Sequence, residues 1–159
     1  MEEPYGRLCI QLGELIADEQ DFVANCANCC ALLMGELERI SWIGFYFARD
    51  GDLVLGPFQG PPACTRIELG EGVCGTAAEL EECIIVADVN EFPGHIACDA
   101  AARSEIVVPL IWQDQLLGVL DLDSHERDRF QETDREGLSA VVAVLLGGSD
   151  LWSAFGTCG

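Results

Sequence analysis

The segments SEIVVPLIW and LLGVLDLDS, residues 104–112 and 116–124, constrain this chain more than any other feature. Both are rich in β-branched and apolar residues over a strand's length, and Gln113, Asp114 and Gln115 between them read as a three-residue hairpin loop. In that hairpin Ile106, Val108 and Leu110 face the same side as Leu122, Leu120 and Gly118. A slip of one residue would mismatch these faces, so apolar patterning sets the register. Glu105 then lies opposite Asp123, and Val107 opposite Asp121. Three carboxylates gather at one end of one face, where like charges repel and a solely structural account explains them badly. The alternative, a solvated sheet end in an acidic chain, stays open on this pattern alone.

A second hairpin precedes it. SWIGFYFARD and GDLVLGPFQG flank an Asp50-Gly51 turn, a strong hairpin signal between alternating apolar runs. Along the first of these strands Ile43, Phe45 and Phe47 share the core face, while Trp42, Gly44 and Tyr46 share the other. Gly44 leaves open space between two amphipathic aromatics, which suits a pocket wall, although two aromatics on a sheet also pack under a helix. Helical patterning covers roughly 5–18 and 20–37, and a short helix is expected over VCGTAAEL. CIIVADV reads as a strand, and a last helix is expected to begin at Thr133, where Thr-Asp-Arg-Glu matches a capping box with Glu136. The order is helices, an antiparallel run of strands with a helical insert, then a helix. This predicts an α+β fold with a central antiparallel sheet covered on its faces. One domain over 1–159 is expected, with N-terminal helices in 1–38, sheet and active-site loops in 41–124 and a C-terminal helix in 131–148.

Charge and cysteine usage narrow the function. The chain has 159 residues, 28 of them acidic against eight basic, with a formal net charge of −20; every basic residue is arginine. Nucleic acid is excluded as a partner, since phosphate binding needs clustered basic residues. Apolar runs such as SAVVAVLLGG are far short of the ~20 residues a bilayer span needs, and Met1-Glu2-Glu3 does not open a signal peptide. A cytoplasmic location with no membrane partner follows as the expectation, and there nine cysteines are reduced thiols, ligands or catalysts. Cys26 and Cys29 form a CxxC, but Phe22, Cys26, Cys29, Cys30 and Leu33 recur at helical spacing as small hydrophobes on a buried stripe. His95 and His125 stand in no ligand spacing with it, so no metal is expected. Cys9, Cys83 and Cys158 read as filler. Cys98, in FPGHIACDAAARSE, is flanked by Gly94, His95 and Asp99, a poor setting for a buried structural cysteine.

GPFQGPPACTRI, GEGVCGTAA, FPGHIACDAAARSEIVVP and LGVLDLDS, in this order behind SWIGFYF, resemble the free methionine-(R)-sulfoxide reductases, enzymes built on a single GAF domain. The likeness runs from about Trp42 to Ser124. It implies that Cys64, Cys74 and Cys98 are the characteristic cysteines, and that Trp42, Tyr46, Glu105, Asp121 and Asp123 form the substrate pocket. Pro61 departs from the family pattern, which commonly has lysine there. The implied fold is a GAF domain. The implied reaction is reduction of free L-methionine (R)-S-oxide to L-methionine, with thioredoxin as external reductant and no bound cofactor; a homodimer and a role in oxidative stress belong to the same likeness.

The chemistry asks for what these residues offer. A sulfoxide sulfur is electrophilic but its oxygen leaves only when protonated, so a thiolate and a general acid are required. Cys98 is expected to attack and become a sulfenic acid, which Cys64 or Cys74 then condenses with. Cys64 is favoured because its Pro-Pro-Ala-Cys loop leaves the sulfur freer than Cys74, which opens a short helix. Clustered carboxyls cannot all ionise, so one keeps a proton to donate while the rest hold an ammonium; Glu105 and Asp123 are expected in direct contact. A GAF sensor that binds a small molecule without catalysis, or a cysteine redox switch, are the competing readings.

Overall fold

The structure is a computed structural model that describes residues 2–96, 98 and 100–156. Its centre is the hairpin of β5 (Ser104–Trp112) and β6 (Gln115–Ser124), beside which lie β1 (Trp42–Arg49) and β2 (Asp52–Gln59). With β3 (Arg66–Glu68) and β4 (Ile84–Val86) they make a six-stranded sheet in the order β3-β2-β1-β6-β5-β4, each neighbouring pair antiparallel. Helices α1 (Tyr5–Leu15), α2 (Phe22–Glu36) and α4 (Glu132–Gly147) pack on one face, with the short α5 (Leu151–Phe155) against α2. Helix α3 (Gly72–Leu80) lies on the other face with the loops around it. The α+β expectation holds.

Parity along the strands explains the two layers. Ile43, Phe45, Ile106, Leu120 and Leu122 are fully buried beneath the three long helices, while Val107, Val119 and Tyr46 belong to a second apolar cluster under α3. On α2 the stripe Phe22, Cys26, Cys29, Cys30 and Leu33 is buried as expected, at most 1% exposed. Burial drives these thiols up in pKa, Cys30 to about 12, and leaves them inert as small hydrophobes. Cys9 and Cys83 are partly buried against the same core. Cys158 lies outside the described residues. Among the described residues no helix is long and apolar enough to cross a membrane.

Four expectations are corrected. Gln113 and Asp114 alone make the β5–β6 turn, both with positive φ (50° and 63°), so the loop has two residues and not three. The expected register survives because Ile111 pairs with Leu116 and Leu110 with Gly118, leaving Leu117 as an inserted bulge residue that absorbs the difference. Helix α4 begins one residue before Thr133, capped reciprocally by Gln131 and Asp134, not by Thr133 and Glu136. Asp134 decides this: it is buried, takes the Gln131 N–H at 2.7 Å and the Tyr5 hydroxyl at 2.6 Å, whereas Glu136 is exposed. Strand β4 stops at Val86, short of the expected Val89, because the Ala87 carbonyl accepts from Asp128 N–H and Asp88 turns the chain by accepting from Asn90 N–H. The first two helices are shorter than the patterning suggests, α2 starting at Phe22 because Asp21 caps it through the Ala24 N–H. Helix α5, which Asp150 caps, was absent from the sequence reading.

Gly137 is where α4 meets α1, and a Cβ there would meet the Tyr5 ring. Gly137→Ala gains about 1 kcal/mol of helix propensity, but overpacking of this contact costs about 1–3 kcal/mol. The variant should therefore be destabilised despite the better helix former, which urea denaturation against wild type will show.

Candidate active site

Three strands lay the site out in rows. Trp42 on β1, Asp123 on β6 and Glu105 on β5 are partners across the sheet, as are Gly44, Asp121 and Val107 one row on. Between these rows Ile43, Leu122 and Ile106 turn to the helical face. Hydrophobic burial on one side thus places the carboxylates on the other. Glu105 and Asp121 are each only 6% exposed, and Asp123 is half-buried.

These side chains line a cavity of about 170 Å³ with Tyr46, Cys74 and Cys98. Its remaining wall comes from Pro61-Pro62-Ala63, from His95 and Ile96, and from the first turn of α3. Seven of the eight residues singled out in the sequence meet there. The eighth, Cys64, sits beside it, joined to Cys98 by a disulfide with Cα atoms 5.5 Å apart. Cys74 is not in a disulfide; its Sγ is 3.8 Å from Glu105 Oε1.

The aromatics do not frame open space above Gly44. The Trp42 indole folds over that glycine, so that a Cβ there would strike the ring, and stacks on Phe58 at 5.5 Å and 18°. Trp42 Nε1–H donates to the Pro61 carbonyl at 3.0 Å and Tyr46 O–H to the Cys64 carbonyl at 2.8 Å. Both aromatics therefore hold the loop that carries Cys64, and Gly60 lies under the indole edge. Pro61 takes part through its carbonyl, a contact any residue at that position could make.

Charge in the cavity is one-sided. Burial, followed by the charges of Asp121 and Asp123, pushes the Glu105 carboxyl well above the usual range, and burial raises Asp121 too. Oxygens of the two carboxyls lie within 4.8 Å of each other, which fits a proton kept on Glu105 beside an ionised Asp121. Burial, then the same carboxylates, pushes the Cys74 thiol well up, so it is held as a neutral thiol and a weak nucleophile. Desolvation lowers His95, leaving it neutral at pH 7. No arginine lines the cavity among the described residues. Asp121 Oδ1 is buried with no hydrogen-bond partner, on a residue that lines a cavity with no cationic side chain among the described residues. Ligand atoms of Cys74, Glu105 and Asp121 lie within 4.8 Å of one another, the one cluster among the described residues with donors suited to a cation.

The sequence reading missed His95 and Ile96 as cavity residues, although both stand in the quoted motif around Cys98. It also gave no weight to Asp88, whose signal lies in the arginines that reach it from distant segments.

The GAF domain family model matches residues 17–145. The chain is 51% identical to Protein YtsP of Bacillus subtilis over 146 residues, covering 91% of this chain and 90% of that protein. It is 50% identical to the free methionine-R-sulfoxide reductase of Escherichia coli over 143 residues, 90% of this chain and 87% of that one. The structure is similar to that of the free methionine-R-sulfoxide reductase from Neisseria meningitidis in complex with its substrate, with a TM-score of 0.88 and 44% identity over 91% of this chain and 87% of that chain.

The raised carboxyls have a consequence for stability. A folded-state pKa above the unfolded value means the native state binds the extra proton, so stability falls as pH rises from about 4.5 into the range where the unfolded chain has already lost it. Glu105→Gln removes this liability and keeps a donor toward Asp121. It should be more stable than wild type at pH 8, the difference closing near pH 4. Thermal denaturation of both proteins across that range is the check, and an equal gap at both ends contradicts the assignment.

Proposed function

The chain belongs to the free methionine-(R)-sulfoxide reductases of the GAF-domain family, and from that premise we infer that it reduces free L-methionine (R)-S-oxide to L-methionine. The observation that carries this reading to the residues is the partnerless Asp121 Oδ1 in a carboxyl-lined cavity that Cys98 also lines. An ammonium supplies both the missing donor and the missing positive charge. A peptide-bound methionine sulfoxide has no ammonium at that place, and its entry would leave buried carboxylates unpaired, a costly outcome.

The proposed cycle assigns each group one task. Trp42 and Tyr46 enclose the thioether end, and Glu105, Asp121 and Asp123 face the ammonium and the sulfoxide oxygen. Cys98 thiolate attacks sulfur as a carboxyl proton goes to the oxygen. Collapse transfers the hydroxyl to Cys98 as a sulfenic acid and frees methionine with its sulfur reduced by two electrons. The Cys64 thiol then attacks the Cys98 sulfur, expelling water and forming the Cys64–Cys98 disulfide. That bond in the structure supports Cys64 as the resolving thiol, and the high pKa of Cys74 argues against it as the competitor. A thioredoxin-type dithiol returns two electrons and restores both thiols. We place this chemistry in the cytoplasm, where such reductants keep cysteines reduced and where free methionine oxidised under oxidative stress needs repair; the active assembly is proposed to be a homodimer.

Substrate selectivity tests the ammonium argument. Turnover with thioredoxin, thioredoxin reductase and NADPH should be seen on the free R epimer, and should fall by at least 100-fold on N-acetyl methionine sulfoxide amide. Comparable rates on both would remove the basis for the reading.

The thiol assignments separate in a single turnover without reductant. Cys98→Ser should form no methionine. Cys64→Ser should form about one equivalent per enzyme and leave a sulfenic acid that dimedone traps, because attack precedes resolution. A full burst from Cys98→Ser would overturn the mechanism, and normal thioredoxin-driven turnover in Cys64→Ser would give resolution to Cys74.

A further inference from the structure

The cavity is assembled from two kinds of support. Trp42, Tyr46, Glu105, Asp121 and Asp123 stand on strands, whereas Cys98, with His95 and Ile96, stands on the long loop between β4 and β5. The ends of that loop are drawn together. Val89 N–H donates to the Arg103 carbonyl at 2.7 Å, and Arg103 N–H to the Ser124 carbonyl at 2.8 Å. Asp128 N–H donates to the Ala87 carbonyl at 2.8 Å on the outer side. Inside this neck sits Asp88, 8% exposed, its Oδ1 accepting from Asn90 N–H at 3.1 Å. Its Oδ2 lies 3.6 Å from Arg103 Nη2 and 3.2 Å from Arg127 Nε. Arg127 Nη2 reaches Glu91 Oε1 at 3.9 Å as well.

This convergence is out of proportion to the chain's composition. There are eight arginines for 28 acidic residues, so a random acidic side chain meets little cationic charge, yet two arginines from separate segments meet one carboxylate. Exposed pairs contribute little on their own, but this acceptor is buried and ties three stretches of chain at one point. None of Asp88, Arg103 and Arg127 lines the cavity. Within the neck the loop bends at Gly94, with φ of +74° and open space around it.

We propose that Asp88 is a positioning residue for the reaction: with Arg103 and Arg127 it clamps the base of the Cys98 loop and so sets where that sulfur stands relative to the substrate and to Cys64. The proposal rests on Cys98 being the nucleophile. Substrate affinity, held mainly by the carboxylates and aromatics on the strands, depends on the clamp far less, His95 and Ile96 being the loop's own share of the cavity wall. Rate does, because a displacement of about 1 Å at the reacting atom is worth up to 100-fold.

Asp88→Asn keeps the shape and removes the charge. Its expected signature is kcat lowered about tenfold or more with KM for free methionine (R)-sulfoxide within about twofold of wild type. In a Cys98→Ala background, Asp88→Asn should leave the Kd for methionine sulfoxide unchanged by calorimetry, which a loosened fold would not. Arg127→Gln, whose side chain is 60% exposed, should show the same split at smaller size, and adding it to Asp88→Asn should cost nothing more. An unchanged kcat in Asp88→Asn, or kcat, KM and Kd moving together, overturns the proposal. Should Asp88→Asn fail to fold, Arg127→Gln decides by the same criteria. A product burst from Cys98→Ser would instead strike the underlying mechanism, whatever the clamp variants do.

Discussion

The pairing of Ile43, Leu122 and Ile106 across β1, β6 and β5 is the contact on which the rest depends. All three are fully buried under the helices, and a one-residue slip in any strand would expose that strand's apolar set. The neighbouring rows are thereby obliged to face the other way. Carboxylates at 105, 121 and 123 come together because hydrophobic side chains between them fix the register, not because they attract one another. Their repulsion is carried by the far larger burial energy of the opposite face, at roughly 25 cal/mol per Å² of apolar surface removed from water.

That repulsion is what gives the site its chemistry. Net charge of −20 is spread over a largely solvated exterior where it has little effect on any one group, but Glu105 and Asp121 are removed from water and lie side by side. In the proposed reaction a proton kept there at neutral pH goes to the sulfoxide oxygen, and the remaining negative charge selects a cation. The same field silences Cys74, which lies against Glu105. Thiols in this chain are sorted by environment: those on α2 are muffled by burial, Cys74 by burial and negative charge, and the Cys64–Cys98 pair sits where two loops meet.

Much of this was legible in the sequence because period-two alternation is a local signal with a global consequence. Faces of β1, β5 and β6 could be read residue by residue, and with them the grouping of Glu105, Asp121 and Asp123 beside Trp42 and Tyr46. What escaped depends on contacts between distant segments. The helix cap moved to Gln131 and Asp134 because Tyr5, on α1, selects Asp134 as its partner. Trp42 filled the space over Gly44 because Phe58 and the Pro61 carbonyl draw the indole there. The two-residue turn and the bulge at Leu117 cancel in the register, so patterning gave the right pairing through the wrong loop. The pairing of Cys64 with Cys98 was legible only through a family likeness, since no spacing rule brings residue 64 beside residue 98.

Placing recognition on strands and thiols on loops resolves a conflict built into the proposed reaction. Substrate must be gripped in one geometry, which favours paired backbone and aromatic side chains locked by stacking. The nucleophile must first face the substrate and then reach another cysteine to bonding distance, which requires chain that moves. A sheet that carried both would be too stiff to close the disulfide, and loops that carried both would bind poorly. Here the cost of loop freedom is limited at the ends: the neck at Val89 and Arg103 restricts motion to the interior, while Trp42 and Tyr46 hold the opposite loop through the carbonyls of Pro61 and Cys64. The aromatics proposed to enclose the substrate thus also hold the loop of the proposed resolving thiol, so in this reading the grip on the substrate and the placement of Cys64 are set by the same two side chains.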